Sequence, residues 1–369
     1  MIFDRLERKY LTEQIRAELP PIDEIHLQFG NCHIQVLSNS EKVISGLKRY
    51  FSTFVASPSQ ADMVISAHQA LDISPELPFA IKQPDPGKTK IKEEYLDIEN
   101  GRIVRKRLTG MIFIFGGEDH VSIGPCEENL NQVINFINNR YIEWRLCRKE
   151  GVLGHAAGVR IHDKGVAIAG FSGMGKSTLA LHLVGRGADF VSNDRLILEK
   201  VEPCVWMHGV GKLPRVNPGT ILNNPKLKGL LSSQDNERFS ALPQEELWEL
   251  EYKYDVPMDQ CFGASHFILS TPMDVLIILN WRHENQPTVI HEVDIARRRD
   301  LLPAFMKSTG LFFLPDHHNG DRNTPEDFYI RFLKWSHILE ITGGINFDAA
   351  ADACIDWIQS GKISASLPG

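Results

Sequence analysis

The residues with the clearest chemistry are Gly170-Phe171-Ser172-Gly173-Met174-Gly175-Lys176-Ser177, followed by Thr178. Glycines let a backbone wrap a polyanion without Cβ clashes. Consecutive N–H groups from about Gly173 to Thr178 can then point inward as an anion nest, and a helix starting there adds its positive end. Lys176 would place a charge on the β- and γ-phosphates, and the Ser177 hydroxyl offers an oxygen to Mg²⁺. The pattern implies that Gly170, Ser172, Gly173, Met174, Gly175, Lys176, Ser177 and Thr178 bind a nucleoside triphosphate, ATP with Mg²⁺. It leaves open which reaction follows.

Such a loop needs a strand before it and a helix after it. Gly165-Val-Ala-Ile-Ala169 predicts a short buried strand, and Thr178-Leu-Ala-Leu-His-Leu-Val184 predicts a helix stopped by Gly185 and Gly187. Two other groups fall close by: His155 upstream, and Asn193-Asp194-Arg195 downstream, with Asp194 only 18 positions after Lys176. By its position His155 is either a core histidine bonded to a backbone carbonyl or a functional group beside the loop.

This arrangement resembles the catalytic domain of bacterial HPr kinase/phosphorylase, and more closely the HPr-kinase-related P-loop kinases. The shared pattern is a His-containing strand, Gly-x-Ser-Gly-x-Gly-Lys-Ser, a helix ending in Arg-Gly, and Val-x-Asp-Asp-Arg-Val. Here it reads His155, GFSGMGKS at 170–177, Arg186-Gly187 and Val191-Ser-Asn-Asp-Arg-Leu196. The segment from Met273 to Trp281 is similar to the family's apolar strand ending near a Trp. The likeness covers about 155–200, weakens towards 281 and does not reach the N-terminal half. It implies an α/β P-loop kinase domain of the HPr-kinase and phosphoenolpyruvate-carboxykinase type, transferring phosphoryl to a serine hydroxyl. By the same resemblance Asp194 would support Mg²⁺ and the phosphates, and His155 would lie beside the acid/base carboxylate and tune it. Arg195 would hold that strand or compensate phosphate charge. The resembled enzymes form rings, which implies a homo-oligomer.

Two positions depart from the pattern. The paired acids read Asn193-Asp194, and an amide cannot accept a substrate proton. Either Asp194 does both jobs, or His155 is the base, or catalysis relies on positioning and electrostatics, which phosphoryl transfer allows. The Glu-Ile-Arg-Gly-x-Gly segment reads Trp206-Met207-His208-Gly209-Val210-Gly211. The protein-substrate side has therefore diverged. HPr itself is not the expected acceptor, and phosphorolysis is not expected to carry over.

The elements around this site must come from 369 residues, 43% hydrophobic and 24% charged, a soluble composition long enough for two domains. A smaller α+β domain is expected over 1–150 and the kinase domain over 151–369. Residues 2–18 predict an amphipathic helix ended by Pro20-Pro21, and short alternating runs from 24 to 125 predict an antiparallel sheet interrupted by a helix near 40–54. A long helix is predicted over 127–149, and a loop over Pro84 to Lys88. A net charge of −7 argues against a general nucleic-acid partner. The apolar runs are too short to span a membrane. The six cysteines form no Cys-x-x-Cys pair and the N-terminus shows no secretory signal, which points to the cytoplasm.

Other segments read more plainly. Gly211 to Thr220, with Lys212 and Arg215, is a solvated turn or a lid over phosphates. Arg297-Arg298-Arg299 is expected on a solvated helical face, the alternative being that one of them contacts phosphate across a subunit interface, and Asp316 to Asp321, which contains metal-capable groups, is expected in a surface loop. Tyr329, Phe332, Leu333 and Trp335 to Leu339 predict the core face of a C-terminal helix. The expected function is ATP- and Mg²⁺-dependent phosphorylation of a hydroxyl on a protein serine or a small metabolite. Asn193 favours the alternative, a nucleotide-binding switch or scaffold with little or no transfer.

Overall fold

The computed structural model describes residues 3–71, 73, 75–84, 89–250, 252–314 and 324–361. Residue 2 of the first expected helix, 85–88 of the expected loop and all of 316–321 lie outside the described residues. The chain is mixed α/β with several sheets and divides into two units. One holds Met1–Cys147 and the described residues 309–314; the other holds Arg148–Ser308 and the described residues 324–361.

The first unit is built on an eight-stranded sheet in the order Asp23–Phe29, Cys32–Ser38, Met63–Gln69, Asp119–Gly124, Ile112–Phe115, Gly101–Lys106, Glu93–Ile98, Ala80–Ile81. The sequence predicted an antiparallel sheet, and this is corrected: Met63–Gln69 runs parallel to both of its neighbours. For the pairing with Cys32–Ser38 the cause is the helix Glu41–Tyr50 between the two strands. The Ser40 hydroxyl accepts from Val43 N at its start, and its buried Val43, Ile44 and Leu47 form its apolar face. A helix that carries the chain across a sheet returns it in the same direction. The first helix is Arg8–Glu18, shorter than predicted, and buries Leu11 and Ile15 in one cluster with Ile103, Ile112, Ile114, Val121 and Ile123. The long helix is Leu130–Arg148. Its Arg140 side chain is fully buried, bonded to Glu143 Oε1 at 2.8 Å and to Phe312 O.

In the second unit a six-stranded sheet runs Asp189–Ser192, Ala156–Ile161, Lys164–Gly170, Val275–Leu279, His337–Thr342, Val289–Glu292. Its three central strands, Lys164–Gly170, Val275–Leu279 and His337–Thr342, are parallel. All five residues of Val275–Leu279 are buried, as expected for a strand covered on both faces. A four-stranded antiparallel sheet follows the order Ser270–Pro272, Cys204–His208, Leu196–Val201, Gly151–Gly154. The predicted C-terminal helix through Leu339 is corrected. That helix is Glu326–Leu333, Trp335 is exposed, and His337–Thr342 is a strand with Ile338, Leu339 and Ile341 buried. A short apolar run does not by itself distinguish strand from buried helix. The last described helix is Phe347–Ser360, where the Asn346 side chain accepts from Ala349 N.

The three arginines at 297–299 are corrected as well. They lie at a turn leading into the 3-10 segment Arg299–Ala304, not on a solvated helix. Arg298 donates from Nη1 to Glu340 Oε2 at 2.6 Å and from Nη2 to Glu340 Oε1 at 3.1 Å. Glu340 is only 2% exposed, so Arg298 compensates a buried charge. Arg298→Ala is expected to lower stability in urea by about 2 kcal/mol. Arg297→Ala, at a side chain 88% exposed, should change it by less than about 0.5 kcal/mol. Equal effects of the two would refute the assignment. None of the six cysteines is in a disulfide. Among the described residues no helix is long and apolar enough to cross a membrane.

Candidate functional site

The strand Lys164–Gly170 opens directly into the glycine loop, and the helix Lys176–Gly185 begins where the loop ends. Gly173 has φ +83° and Gly175 φ +84°, the left-handed region that side chains disfavour. Gly175 is doubly constrained, since a Cβ there would meet the Phe347 ring at 2.4 Å. Trp281, fully buried, donates its indole N–H to Met174 O at 3.0 Å and meets the Phe347 ring edge-on at 5.1 Å. The back of the loop is thus held by Trp281, two residues beyond the strand Val275–Leu279, and by the first residue of the last described helix. Gly175→Ala is expected to cost about 2 kcal/mol in stability and to weaken nucleotide binding; unfolding and titration calorimetry check this, and unchanged affinity would contradict it.

The loop carries one cation, Lys176, beside an open helix start. No side chain caps the helix at Gly175, so the N–H groups of its first turn are available to a ligand. Lys176 donates from Nζ to Gly170 O at 2.8 Å and to Phe171 O at 3.3 Å. Ser177 lies in the same turn, and Thr178 Oγ1 is 2.8 Å from Thr220 Oγ1 on the helix Pro218–Leu222. Phe171, Ser172 and Gly173 are exposed.

His155 and Asp194 come together because both sit where the chain changes sheets. His155 separates Gly151–Gly154 from Ala156–Ile161, and Asn193-Asp194-Arg195 separate Asp189–Ser192 from Leu196–Val201. Leu196 pairs with Gly154 and Ser192 with Gly158, so the two linkers lie side by side. The His155 N–H donates to Phe305 O at 2.6 Å, and its Nε2 is 2.9 Å from Asp194 Oδ1. Asp194 Oδ2 is 3.3 Å from Lys307 Nζ and 3.9 Å from Arg195 Nε. Ser192 Oγ donates to Arg195 O at 2.6 Å and fixes the bend.

Burial opposes the Asp194 charge, but the His155 hydrogen bond and the charges of Lys307, His155 and Arg195 outweigh it and hold the carboxyl well below its ordinary range. Burial likewise lowers Lys176, with Asp194 opposing and Lys307 and Lys253 adding to the shift. Burial lowers Lys212 too, with Arg195 acting in the same direction and Asp194 against it. One half-exposed carboxylate therefore sits among Lys176, Lys212, Lys307 and Arg195, an arrangement suited to an added anion.

Lys307 and Lys253 carry no local signal in the sequence, since only the fold brings them near Lys176. Asn193 is half-buried, and its Oδ1 is enclosed with no hydrogen-bond partner. His208 turns away, with Nδ1 2.8 Å from Ser270 Oγ and Nε2 3.5 Å from Glu199. Among the described residues no group of three or more His, Cys, Asp or Glu could hold a metal ion by itself.

No protein-family model matches the chain. Curated relatives do match. The HPr kinase/phosphorylase of Clostridium acetobutylicum is 30% identical over 133 residues, 34% of this chain and 42% of that protein. The HPr kinase/phosphorylase of Geobacillus kaustophilus is 26% identical over 186 residues, 47% of this chain and 56% of that protein. The one from Lactiplantibacillus plantarum is 36% identical over 81 residues, 22% of this chain and 25% of that protein. The chain thus spans about half the length of the first two. A solved HPr(Ser) kinase/phosphatase from Coxiella burnetii is matched at 14% identity and TM-score 0.28, over 57% of this chain and 89% of that one.

Proposed function

From a chain that is HPr-kinase-like in sequence, we propose an ATP- and Mg²⁺-dependent kinase that transfers the γ-phosphoryl group to a hydroxyl of a protein serine or a small metabolite. The observation that carries this reading is the Asp194 carboxylate, held ionised by His155 and Lys307 and within electrostatic reach of Lys176 on the glycine loop.

The N–H groups from Gly173 to Thr178 would cradle the polyphosphate, and Lys176 would neutralise its β- and γ-oxygens. Mg²⁺ usually takes one or two carboxylates together with phosphate oxygens. Asp194, 45% exposed, and the Ser177 hydroxyl fit that donor set. The ion would supply charge neutralisation on the phosphates. Lys307, Arg195 and Lys212 would offset the charge that develops on the moving group. His155 orients Asp194 and keeps it charged. The same pairing makes Asp194 a weak base, and Asn193 cannot accept a proton, so catalysis here rests on positioning and electrostatics. On this reading the second unit is a P-loop kinase domain of the HPr-kinase and carboxykinase type. The first unit, a smaller α+β domain, serves an acceptor, a partner or homo-oligomer formation, with the cytoplasm as the setting.

The test is transfer from [γ-³²P]ATP with Mg²⁺ in cell extract and with candidate metabolites. Wild type should label an acceptor that a Lys176→Ala control does not. Equal labelling by the two, with no acceptor-dependent turnover, would refute a kinase. Asn193 supports a second reading, a nucleotide-binding switch. It would show tight ATP binding, no transfer, and a conformational change reported by protease protection.

A further inference from the structure

Within the second unit, the glycine loop is flanked by an exposed pair of stacked rings that phosphate binding does not use. Trp248, on the helix Gln244–Glu249, lies against His283 with ring centroids 4.0 Å apart and planes tilted by 30°. Both residues are exposed, and Trp248 keeps 44% of its surface open even with His283 against it. The helix is anchored by the neighbouring side chain instead. Leu247 is buried and packs on Gly219, where an added Cβ would lie 3.4 Å from Leu247 Cγ. The contrast with Trp281 is direct: that ring is fully buried and directs its N–H to Met174 O of the loop. Trp281 supports the loop, whereas Trp248 presents a flat apolar surface to whatever lies outside it.

Three connections place the pair beside the loop. Leu279 pairs with Gly170 in parallel strands, so the segment carrying Trp281 and His283 leaves the sheet at the edge where the loop begins. Ligands of open α/β sheets bind outside that carboxyl edge. His283 is two residues from Trp281, a reach of at most about 7 Å. On the other side, Gly219 precedes Thr220, whose Oγ1 is 2.8 Å from Thr178 Oγ1 in the first turn after the loop. Lys253, in the chain just after the Trp248 helix, is within electrostatic reach of Lys176. The two rings are therefore tied to the loop at Met174 through one segment and at Thr178 through another.

We propose that Trp248, backed by His283, is the stacking platform for the purine base of the nucleotide whose phosphates enter the glycine loop. The proposal rests on the nucleotide reading above and deepens it. The loop recognises phosphates, which any polyphosphate ester carries, and the ring pair recognises the base. Every base has a π-face, so stacking is favourable whatever groups its edge carries. A purine, with two fused rings, covers more of the indole than a pyrimidine does. His283 holds the indole plane in place beforehand, so less side-chain freedom is lost when the base arrives.

The experiment uses the whole 369-residue chain with Mg²⁺, titrated calorimetrically with ATP, UTP and ribose 5-triphosphate, which has the same phosphates and sugar but no base. Wild type should bind ATP most tightly, ribose 5-triphosphate least, and UTP between them. Trp248→Ala should weaken ATP binding about 10–100-fold and leave ribose 5-triphosphate unchanged, so that the two ligands converge. Trp248→Phe, which keeps an aromatic face, should restore most of the advantage of ATP. If Trp248→Ala does not fold, His283→Ala should lower the affinity for ATP and not for ribose 5-triphosphate. Equal wild-type affinities for ATP and ribose 5-triphosphate overturn the proposal and leave the loop as a phosphate site. Equal weakening of both ligands by Trp248→Ala makes the ring a structural support and overturns it as well. Binding of none of the three ligands by wild type overturns both this proposal and the nucleotide reading.

Discussion

Lys176→Ala is expected to lower phosphoryl transfer by about 10²–10³-fold, with most of the loss in ATP affinity. The lysine is the one side-chain cation of the glycine loop, and its ammonium donates to the carbonyls of Gly170 and Phe171. Burial makes its charge costly in the ligand-free protein, so an incoming polyphosphate gains more from it than from a solvated lysine. Removing it should therefore leave the thermal stability of the free protein unchanged or slightly raised while ATP binding falls. Lys176→Arg should not rescue, because a planar guanidinium cannot take the place of a compact ammonium folded back on two adjacent carbonyls. Calorimetric titration and single-turnover labelling separate binding from transfer. An alanine variant that binds ATP as tightly as wild type would remove the loop from the site.

The second large effect is on acid stability. His68 is fully buried, and His120 is 2% exposed with Nδ1 unpaired. They lie on the neighbouring parallel strands Met63–Gln69 and Asp119–Gly124. Burial, and then the charge of Arg16, push His68 down to about 4 against a backbone hydrogen bond at Leu19; burial and the charges of Arg140, Arg8 and Arg16 push His120 well below its ordinary value. The folded values are depressed, so between about 4 and 6.5 the unfolded chain binds more protons and stability rises with pH. The contribution is complete above pH 6.5 and is lost as pH falls. For His68 alone the loss approaches roughly 3 kcal/mol by pH 4, and His120 adds to it.

His33 and His182 are shifted in the same direction. Carboxylates such as Glu127 contribute mainly below 4.5, so the range from 4.5 to 6.5 isolates the histidines. Urea midpoints followed by circular dichroism should fall steadily across that range. A His68→Leu, His120→Phe double variant should show a shallower slope. A wild-type midpoint that does not move between pH 7 and 4.5 would contradict the assignment.

Sequence and structure agree best where the determinants are local. The loop was readable because strand, glycines, lysine and helix are contiguous, and each residue type has a steric or electrostatic reason to be there. The pairing of His155 with Asp194 follows from two sheet crossings that no short window displays. Lys307 and Lys253 reach the site from segments with no pattern of their own. Two misreadings share one cause. Local texture points to a helix for the run from Trp335 to Leu339 and to antiparallel partners for Met63–Gln69, yet what decides them is which neighbour each strand finds. Arg298 illustrates the converse: three successive arginines read as solvated until the buried Glu340 beneath them is seen.

The contact of Gly175 with Phe347, together with the indole bond from Trp281, has a consequence for the order in which the protein matures. During synthesis every residue of the loop exists long before Phe347 does. A nascent chain stalled at residue 344 would contain the lysine, the hydroxyls and Asp194, yet lack the ring on which Gly175 is seated. Nucleotide would then meet a loop free to sample other shapes, and would bind it weakly. Retention on immobilised ATP, compared between chains stalled before and after the last helix, would report this directly. The glycine loop would thus act as an internal signal that the second unit has been completed, withholding its ligand from unfinished chains.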